Sequence, residues 1–207
     1  MKKLNRYNIN PHPIGKGRNA VVYVGHDPMH DRLVAIKSIS SKKKANIERK
    51  VMKRCGNSPY IPEMYHFFTE NEKYHIVMEC IKGLTLDKYK KTKKISETEA
   101  VSIVITITKA LVSMHKVGMK HNDITLRNIM LHGTNDLKII DFGNAVQTNR
   151  TKRKDLDGVI QIFLHLLMNS PRIGHGKVKA IIKKGTALDE KHGYQTASEL
   201  LTDLESL

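Results

Sequence analysis

"HNDITLRNIMLHGTNDLKIIDFG", residues 121–143, is the stretch of this 207-residue chain from which the fold is best predicted. Its first eight residues, 121–128, bring together the carboxylate of Asp123 and the carboxamide of Asn128, with Arg127 between them. An acid, a cation and an amide in so few residues are typical of a loop that handles a phosphoryl group, and a polar turn is the alternative. Two short strands follow, and the second, "LKII", ends at Asp141. An aspartate in that place can hold a metal ion or form an Asx turn.

Two glycines near the N-terminus lie in "IGKGRNAVVY", at Gly15 and Gly17. Without side chains, they let the backbone approach phosphate oxygens closely, although such pairs also occur in ordinary hairpin turns. A strand follows them, which excludes a dinucleotide-binding fingerprint because that motif requires a helix. The next strand carries Lys37 in "VAIK". A lysine beside a glycine loop can pair with phosphates, or it can guard the edge of a sheet.

The first third of the chain is predicted to be β-rich. "NAVVYVGHD" and "DRLVAIKSI" form one hairpin, and "IPEMYHFFTE" and "KYHIVMECI" form a second. The segment between the hairpins, "KKKANIERKVMKRCG", has apolar residues at helical spacing. We expect an α+β, bilobal fold in which residues 1–207 form a single domain, with an N-lobe at about 1–80 and a C-lobe at about 81–207.

The rest of the chain is predicted to be mainly helical. "ISETEAVSIVITITKALVSMHKVG" begins with a capping box of Ser96 and Glu99 and ends at Gly118. Its many β-branched residues disfavour a helix slightly, but the cap, the length and the closing glycine outweigh them. "DLDGVIQIFLHLLM" and "KVKAIIKKG" are also expected to be helices. A second capping box, Thr196 with Glu199, begins the last helix.

The composition narrows the class of protein. Lys and Arg number 36 against 20 Asp and Glu, a net charge of +16 that favours anionic partners such as nucleotides, nucleic acid, acidic peptides or anionic membranes. A solvated cationic surface is the alternative. No apolar run approaches the roughly 20 residues of a membrane helix, and no signal peptide is recognisable. The two cysteines form no CxxC pattern, so we expect a cytoplasmic protein without a disulfide framework.

Taken in order, these motifs resemble the eukaryotic-type protein kinase superfamily over nearly the whole chain. "GKGRNAVV" resembles the glycine-rich loop, with Ala20 in place of the third glycine. "VAIK" supplies the strand lysine, "IVMECIKG" resembles the hinge, and "HNDITLRNIML" and "DFG" resemble the catalytic loop and the metal-binding motif. The helix glutamate maps best to Glu48, only 11 residues after Lys37. The chain is identified as a minimal member that lacks most of the activation segment.

The resemblance implies ATP-dependent, Mg²⁺-dependent phosphoryl transfer to a protein hydroxyl, of the serine/threonine type. Asp123 is expected to orient the acceptor hydroxyl and accept its proton. Lys37, steadied by Glu48, is expected to fix the α- and β-phosphates, and Arg127 is the candidate for neutralising the γ-phosphate.

The ligand-binding residues implied by the resemblance fall into two groups. Asn128 and Asp141 are expected to hold Mg²⁺, which prefers oxygen ligands. The residues expected to contact ATP are Ile14, Gly15, Lys16, Gly17, Val22, Ala35, Lys37, Met78 as gatekeeper, Glu79, Ile81 and Met130.

The chain departs from the family pattern around its catalytic loop. Thr125 replaces the lysine of serine/threonine kinases, and Arg127 stands where tyrosine kinases can place an arginine, so the loop does not identify the acceptor. Asn122 replaces the arginine that normally receives an activating phosphate. Asp155 follows Asp141 by only 14 residues, and either Asp155 or Asp157 corresponds to the buried helix aspartate.

Two other functions remain open from the sequence. A small-molecule phosphotransferase is consistent with the missing peptide-docking segment. An ATP-binding or ATPase accessory subunit of a nucleic-acid complex is consistent with the basic run "NRTKRK", which contains Arg150, Lys152, Arg153 and Lys154. That run is equally consistent with a solvated loop.

Overall fold

Two groups of secondary-structure elements make up the described part of the chain. The computed structural model describes residues 2–56, 58–132, 136–148, 153–168, 176–187, 189 and 191–207. The first group, in chain order, is β1 (Lys2–Leu4), β2 (Tyr7–Ile9), β3 (Gly15–Lys16), β4 (Ala20–Asp27), β5 (Arg32–Ile39), α1 (Lys42–Arg54), β6 (Met64–Glu70) and β7 (Lys73–Glu79). The second is β8 (Leu84–Thr85), α2 (Leu86–Thr92), α3 (Glu97–Lys116), β9 (Met119–Lys120), β10 (Ile129–His132), β11 (Asp136–Ile139), β12 (Val146–Gln147), α4 (Arg153–Leu167), α5 (Lys177–Gly185) and α6 (Ala197–Glu205). The predicted α+β class is confirmed.

The strands of the first group form an antiparallel sheet in the order β1-β2-β4-β5-β7-β6, with β3 paired to β4. Strand β5 is central, since it pairs with β4 on one side and β7 on the other. Its Val34 and Ile36 pack on one face of the sheet with Tyr7. Its last residue, Ile39, joins the main core together with residues of α1. Burial on both faces explains why this strand is rich in β-branched residues.

Helix α1 is amphipathic, and one charged residue lies on its buried face. The helix begins after Ser41, whose hydroxyl oxygen accepts a hydrogen bond from the Lys44 backbone N–H at 3.4 Å. Ala45, Glu48 and Val51 recur at a spacing of three residues and are all buried. A glutamate on that face must find a partner, because burying an unpaired carboxylate is costly.

Both predicted N-caps are confirmed. The hydroxyl oxygens of Ser96 and Thr196 each accept a hydrogen bond at 3.1 Å, from the backbone N–H groups of Glu99 and Glu199 respectively. The Glu99 carboxylate returns a contact to the Ser96 backbone N–H, and it also accepts a hydrogen bond from the Tyr89 hydroxyl at 2.7 Å. The cap therefore also ties α2 to the start of α3.

Helix α3 is the centre of the second group. Ile103, Ile107, Leu111 and Met114 lie on its buried face, and the helix packs against α4 and α6. Gly118, two residues beyond its end, has φ +71°, a left-handed conformation that glycine adopts without steric cost. The predicted helix is confirmed, so burial and capping overcome the weak propensity of its β-branched residues.

Two small antiparallel sheets bring the motif-bearing loops together. One has the order β11-β10-β8 and the other pairs β12 with β9. Ile129 at the start of β10 lies opposite Ile139 at the end of β11. The loop before β10 and the loop after β11 consequently emerge side by side. Residues 133–135 of the expected turn between these strands lie outside the described residues.

Gly158 permits close contact between α4 and the loop before β10. A Cβ at this position would lie 2.7 Å from both the Cβ and the carbonyl oxygen of Ile124. We expect Gly158→Val to lower the free energy of unfolding by about 1–3 kcal/mol, the usual cost of overpacking. Urea denaturation measures this change. Gln161→Val, at an exposed site on the same helix, is the control for placing a β-branched valine in α4, and an equal loss of unfolding free energy in both variants would contradict the steric explanation.

No helix in the described residues has both the length and the apolar character required to cross a membrane.

Candidate active site

A three-residue ion cluster joins the sheet, α1 and the loop after β11. The Lys37 ammonium donates hydrogen bonds to both carboxylate oxygens of Glu48, at 2.7 and 2.8 Å, and to Asp141 Oδ1 at 2.9 Å. Lys37 and Glu48 are buried. The interpretation of Lys37 as an edge lysine is wrong, because β5 is a central strand. The contact expected between Lys37 and Glu48 is present.

The cluster fixes the charges of Lys37 and Asp141. Burial lowers the pKa of Lys37, but the Glu48 and Asp141 carboxylates outweigh this effect, so the pKa is raised overall. Burial raises the pKa of Asp141, but the adjacent Lys37 ammonium outweighs it, so the pKa of this carboxyl is lowered. At neutral pH, Lys37 is therefore a cation and Asp141 an anion.

Asp123 is oriented by two carboxamides. Its Oδ2 accepts hydrogen bonds from Asn128 Nδ2 at 3.2 Å and from Asn144 Nδ2 at 3.1 Å. Asn128 Nδ2 also donates to the Asp123 carbonyl oxygen at 2.9 Å. Within the described residues, Oδ1 of Asp123 has no hydrogen-bond partner.

Asp155 on α4 anchors the loop that carries Asp123. It is fully buried, and it accepts hydrogen bonds from the backbone N–H groups of His121 at 2.9 Å and Asn122 at 2.6 Å, and from His115 Nε2 at 2.9 Å. The choice left open by the sequence is thereby decided, because Asp157 instead pairs with Arg153 near the surface. The two backbone bonds constrain the loop immediately before Asp123.

His121 connects the loop to the segment after β11. Its Nε2 lies 3.1 Å from the Ile140 carbonyl oxygen, and its ring makes an edge contact with Phe142 at 5.3 Å between centroids. Burial lowers the pKa of His121, so the ring is neutral and Nε2–H donates to that carbonyl. The contact locks together the two loops that carry Asp123 and Asp141.

A cavity of about 490 Å³ lies between the sheet and the second group of elements. It is bordered by Lys37, Glu48, Arg127, Asn128 and Asp141. It is also bordered by every residue for which the sequence predicted ATP contact: Ile14, Gly15, Lys16, Gly17, Val22, Ala35, Lys37, Met78, Glu79, Ile81 and Met130.

The glycine loop covers one side of this cavity. Gly15 pairs with Val22, and the Gly17 N–H donates to the Ala20 carbonyl at 2.8 Å. A Cβ added at Gly17 would touch only that carbonyl, at 3.7 Å. The space beside the loop is therefore open to a ligand, while the Lys16 side chain is exposed.

Comparison with known protein families matches residues 9–164 to the protein kinase domain. That match covers most of the chain and includes the glycine loop, the ion cluster and Asp123. The chain belongs to the protein kinase family.

Individual kinases are similar to this family member at moderate identity. The chain is 26% identical over 149 residues to the serine/threonine-protein kinase Aurora-2 of Arabidopsis thaliana, which covers 68% of this chain and 53% of that protein. It is 30% identical over 151 residues to the hormonally up-regulated neu tumor-associated kinase of Homo sapiens, covering 69% and 21%. It is 26% identical over 156 residues to Aurora kinase B of Mus musculus, covering 72% and 45%. The chain thus spans about half or less of the length of these curated relatives.

The segment after the DFG motif of this kinase is held by backbone contacts. Val146 and Gln147 pair with Lys120 and Met119, and the Thr148 N–H donates to the Gly118 carbonyl at 3.0 Å. Helix α4 is described from Arg153, two residues before the expected helical stretch "DLDGVIQIFLHLLM". Asn122, in place of the usual arginine, donates to the Asn144 carbonyl at 3.3 Å.

The basic run is only partly described. Arg150 and Lys152 lie outside the described residues. Arg153 bonds to Asp157 at 2.7 Å and to the Ala187 carbonyl at 2.5 Å, and its side chain is 20% exposed. Arg153 is thus committed to contacts within the kinase fold, which weakens the nucleic-acid interpretation of this run.

Oxygen donors suited to Mg²⁺ border the cavity. Asn128 Nδ2 is bonded to Asp123, which leaves Asn128 Oδ1 as the free end of the amide, and Asp141 is an ionised carboxylate. In the described part of the chain, no group of three or more His, Cys, Asp or Glu residues forms a metal cluster. This donor set fits Mg²⁺, which is commonly held by one or two protein oxygens together with substrate phosphates.

Sequence reasoning missed several residues of the site. Asn144 was not recognised because it lies 21 residues from Asp123, and only its position directly after the DFG motif could have drawn attention to it. Thr85, Asp87 and Lys88 also border the cavity. They follow the hinge on β8 and α2, short elements that the sequence analysis did not predict.

Proposed function

We propose that this kinase transfers the γ-phosphoryl group of ATP to a serine or threonine hydroxyl of a protein, with Mg²⁺ held by Asn128 and Asp141. The observation that carries the proposal is the shared wall of two cavities. Arg127 and Asn128 border both the 490 Å³ cavity and a second one of about 680 Å³, which contains Asp123. A donor in the first cavity and an acceptor in the second would meet at that wall.

Each side chain has a distinct role in this proposal. Asp123 Oδ1 orients the acceptor hydroxyl and accepts its proton as the new bond to phosphorus forms. Lys37 directs its charge toward the α- and β-phosphates, held in place by Glu48. Arg127 offsets charge on the γ-phosphate. When bound, Mg²⁺ neutralises phosphate charge and polarises the transferred group.

Two finer proposals accompany this function. Residues 1–207 act as a single kinase domain, with the lobes divided near residue 80, because the main core includes residues from α1 and β7 as well as from α3 and α4. The kinase works in the cytoplasm, a location consistent with its two unbridged cysteines. Its preferred protein partner is acidic, and nucleic acid remains open as a further partner.

The short segment between Asp141 and α4 favours one competing function. The eleven residues from 142 to 152 leave little chain for a peptide-docking segment, so a small-molecule acceptor is the second candidate. A panel of proteins and small hydroxyl compounds, incubated with ATP labelled at the γ-phosphate, separates the two functions. Label in a protein band supports the first, label in a small molecule supports the second, and release of labelled phosphate alone would contradict both.

Arg127 tests the proposed arrangement of charge. The side chain is exposed, and within the described residues it makes no hydrogen bond, so Arg127→Ala should leave the fold intact. We expect turnover to fall by roughly 10²–10³, the usual effect of losing one preorganised charge stabiliser. Steady-state kinetics measure it, with Lys179→Ala on α5 as a distant cationic control. Wild-type turnover in the Arg127 variant would assign the role elsewhere, with Lys16 and Arg18 the next residues to test.

A further inference from the structure

The 680 Å³ cavity has a distinctive position, and we refer to it as the acceptor cleft. It lies between α2, the loop that carries Asp123, and α4. The charged side chains that border it are Asp87, Lys90, Lys91, Asp123 and Arg127. Asp123 and these cations therefore border the same cavity.

Cations exceed anions around the acceptor cleft. Lys90, Lys91 and Arg127 carry fixed positive charges, while Asp87 and Asp123 are the acids among the described residues that border it. Lys90 donates to the His165 carbonyl oxygen at 3.3 Å, and it forms no ion pair within the described residues. Within the described residues, neither Lys91 nor Arg127 forms an ion pair. The cleft therefore holds cations that its own acids do not neutralise.

The positive surface continues beyond the acceptor cleft. A neighbouring cavity of about 450 Å³ shares Lys90 and Lys91 and adds Lys93 and Lys94. Lys93 pairs with Glu99 at 3.0 Å, whereas Lys94 is exposed. A partner that lies along both cavities would meet a row of cations leading away from Asp123.

We propose that the acceptor cleft binds an acidic protein segment, with Asp or Glu side chains next to the serine or threonine that receives the phosphoryl group. The proposal rests on the function proposed above and specifies its substrate class. Carboxylates of the segment would pair with Lys90 and Lys91 while its hydroxyl reaches Asp123. Charge complementarity of this kind selects partners and accelerates association more than it tightens binding, and it weakens as salt is added.

The experiment compares three peptides of equal length, each with one serine, flanked by glutamate, glutamine or lysine. Transfer of labelled phosphate gives kcat/KM for each peptide, and fluorescence anisotropy measures their binding independently of turnover. At low salt, we expect kcat/KM to be about tenfold higher for the glutamate peptide than for the glutamine peptide. This is the size of effect expected when Lys90 and Lys91 each form one weak surface ion pair with the peptide. The difference should shrink at high salt.

Reversing the charges of Lys90 and Lys91 tests whether the acceptor cleft causes the peptide preference. In Lys90→Glu/Lys91→Glu, the preference should invert, so that the lysine peptide binds better than the glutamate peptide. Lys179→Glu/Lys183→Glu on α5 changes the net charge equally and should keep the wild-type preference. Thermal unfolding of both variants shows whether they are folded. If the control variant inverts the preference as well, long-range charge rather than the acceptor cleft is responsible, and the proposal is overturned.

The remaining outcomes distinguish failure of the acidic-acceptor proposal from failure of the proposed phosphoryl transfer. Equal binding and equal transfer for all three peptides would overturn the acidic acceptor and leave phosphoryl transfer to proteins standing. Charge-selective binding without any transfer would support the acceptor cleft and contradict the proposed function. Equal peptide binding together with tight binding of single-stranded RNA that Lys90→Glu/Lys91→Glu abolishes would overturn the peptide proposal in favour of nucleic acid.

Discussion

Replacing Asp123 by asparagine is expected to slow phosphoryl transfer by about 10²–10⁴-fold, the usual contribution of a general base. Asparagine has the same shape and keeps an oxygen that can accept from Asn128 and Asn144, the two donors to Asp123 Oδ2. The loop itself is held by Asp155 through two backbone hydrogen bonds. The variant should therefore fold and bind ATP normally while lacking the group that accepts the proton.

Single-turnover rates with saturating ATP test this expectation directly. Asp136→Asn, at an exposed carboxylate where β11 begins, is the matched control and should keep wild-type rates. A lower single-turnover rate constant with unchanged ATP affinity supports the assignment. Wild-type transfer by the Asp123 variant would show that another group accepts the proton, or that proton removal is not required.

The sequence was sufficient to identify the residues that border the 490 Å³ cavity wherever they belong to a short local pattern. The glycine pair, Lys37 at the end of its apolar run and Asp141 after "LKII" were all found from short motifs, because a strand followed by a polar group is a local pattern. Glu48 was harder, since a short linker made the register of α1 uncertain. The hydrogen bonds to Lys37 resolve that register.

The remaining features depend on the packing of distant segments. Asp155 and Asp157 lie two residues apart on one helix, and only the loop packed against α4 decides which of them is buried. Strands β1, β9 and β12 contain two or three residues each, so pairing with neighbours rather than propensity forms them. The acceptor cleft likewise requires α2 and α4 to be placed side by side.

Removing the Asp141 carboxylate is expected to cause the second large loss of phosphoryl-transfer activity. We expect Asp141→Ala to abolish Mg²⁺-dependent transfer, with a rate reduction of about a thousandfold or more, since metal stabilisation of phosphate charge is worth several kcal/mol. The fold should survive, because the Asp141 side chain is 52% exposed and Lys37 keeps both of its bonds to Glu48.

Backbone conformation at this position calls for a second variant. Asp141 has φ +66°, in the left-handed region that alanine disfavours and asparagine tolerates. Asp141→Ala therefore removes the ligand and adds strain at once. Asp141→Asn keeps the preferred conformation and an oxygen able to accept from Lys37, and it removes only the negative charge. If both variants lose activity alike, the loss of charge rather than strain is responsible.

Unfolding temperatures provide a readout that does not require turnover. A ligand that binds only the folded state raises the unfolding midpoint, so ATP with Mg²⁺ should stabilise the wild-type chain more than ATP alone does. In Asp141→Asn, adding Mg²⁺ to ATP should give no further rise in the unfolding temperature. Any rise caused by ATP alone should remain, because Lys37 and the glycine loop are unchanged. Asp189→Asn, at an exposed carboxylate far along the chain, should behave like wild type. If Mg²⁺ raises the unfolding temperature of Asp141→Asn as much as that of the wild type, and the variant transfers phosphate at the wild-type rate, then the ion is held without this carboxylate.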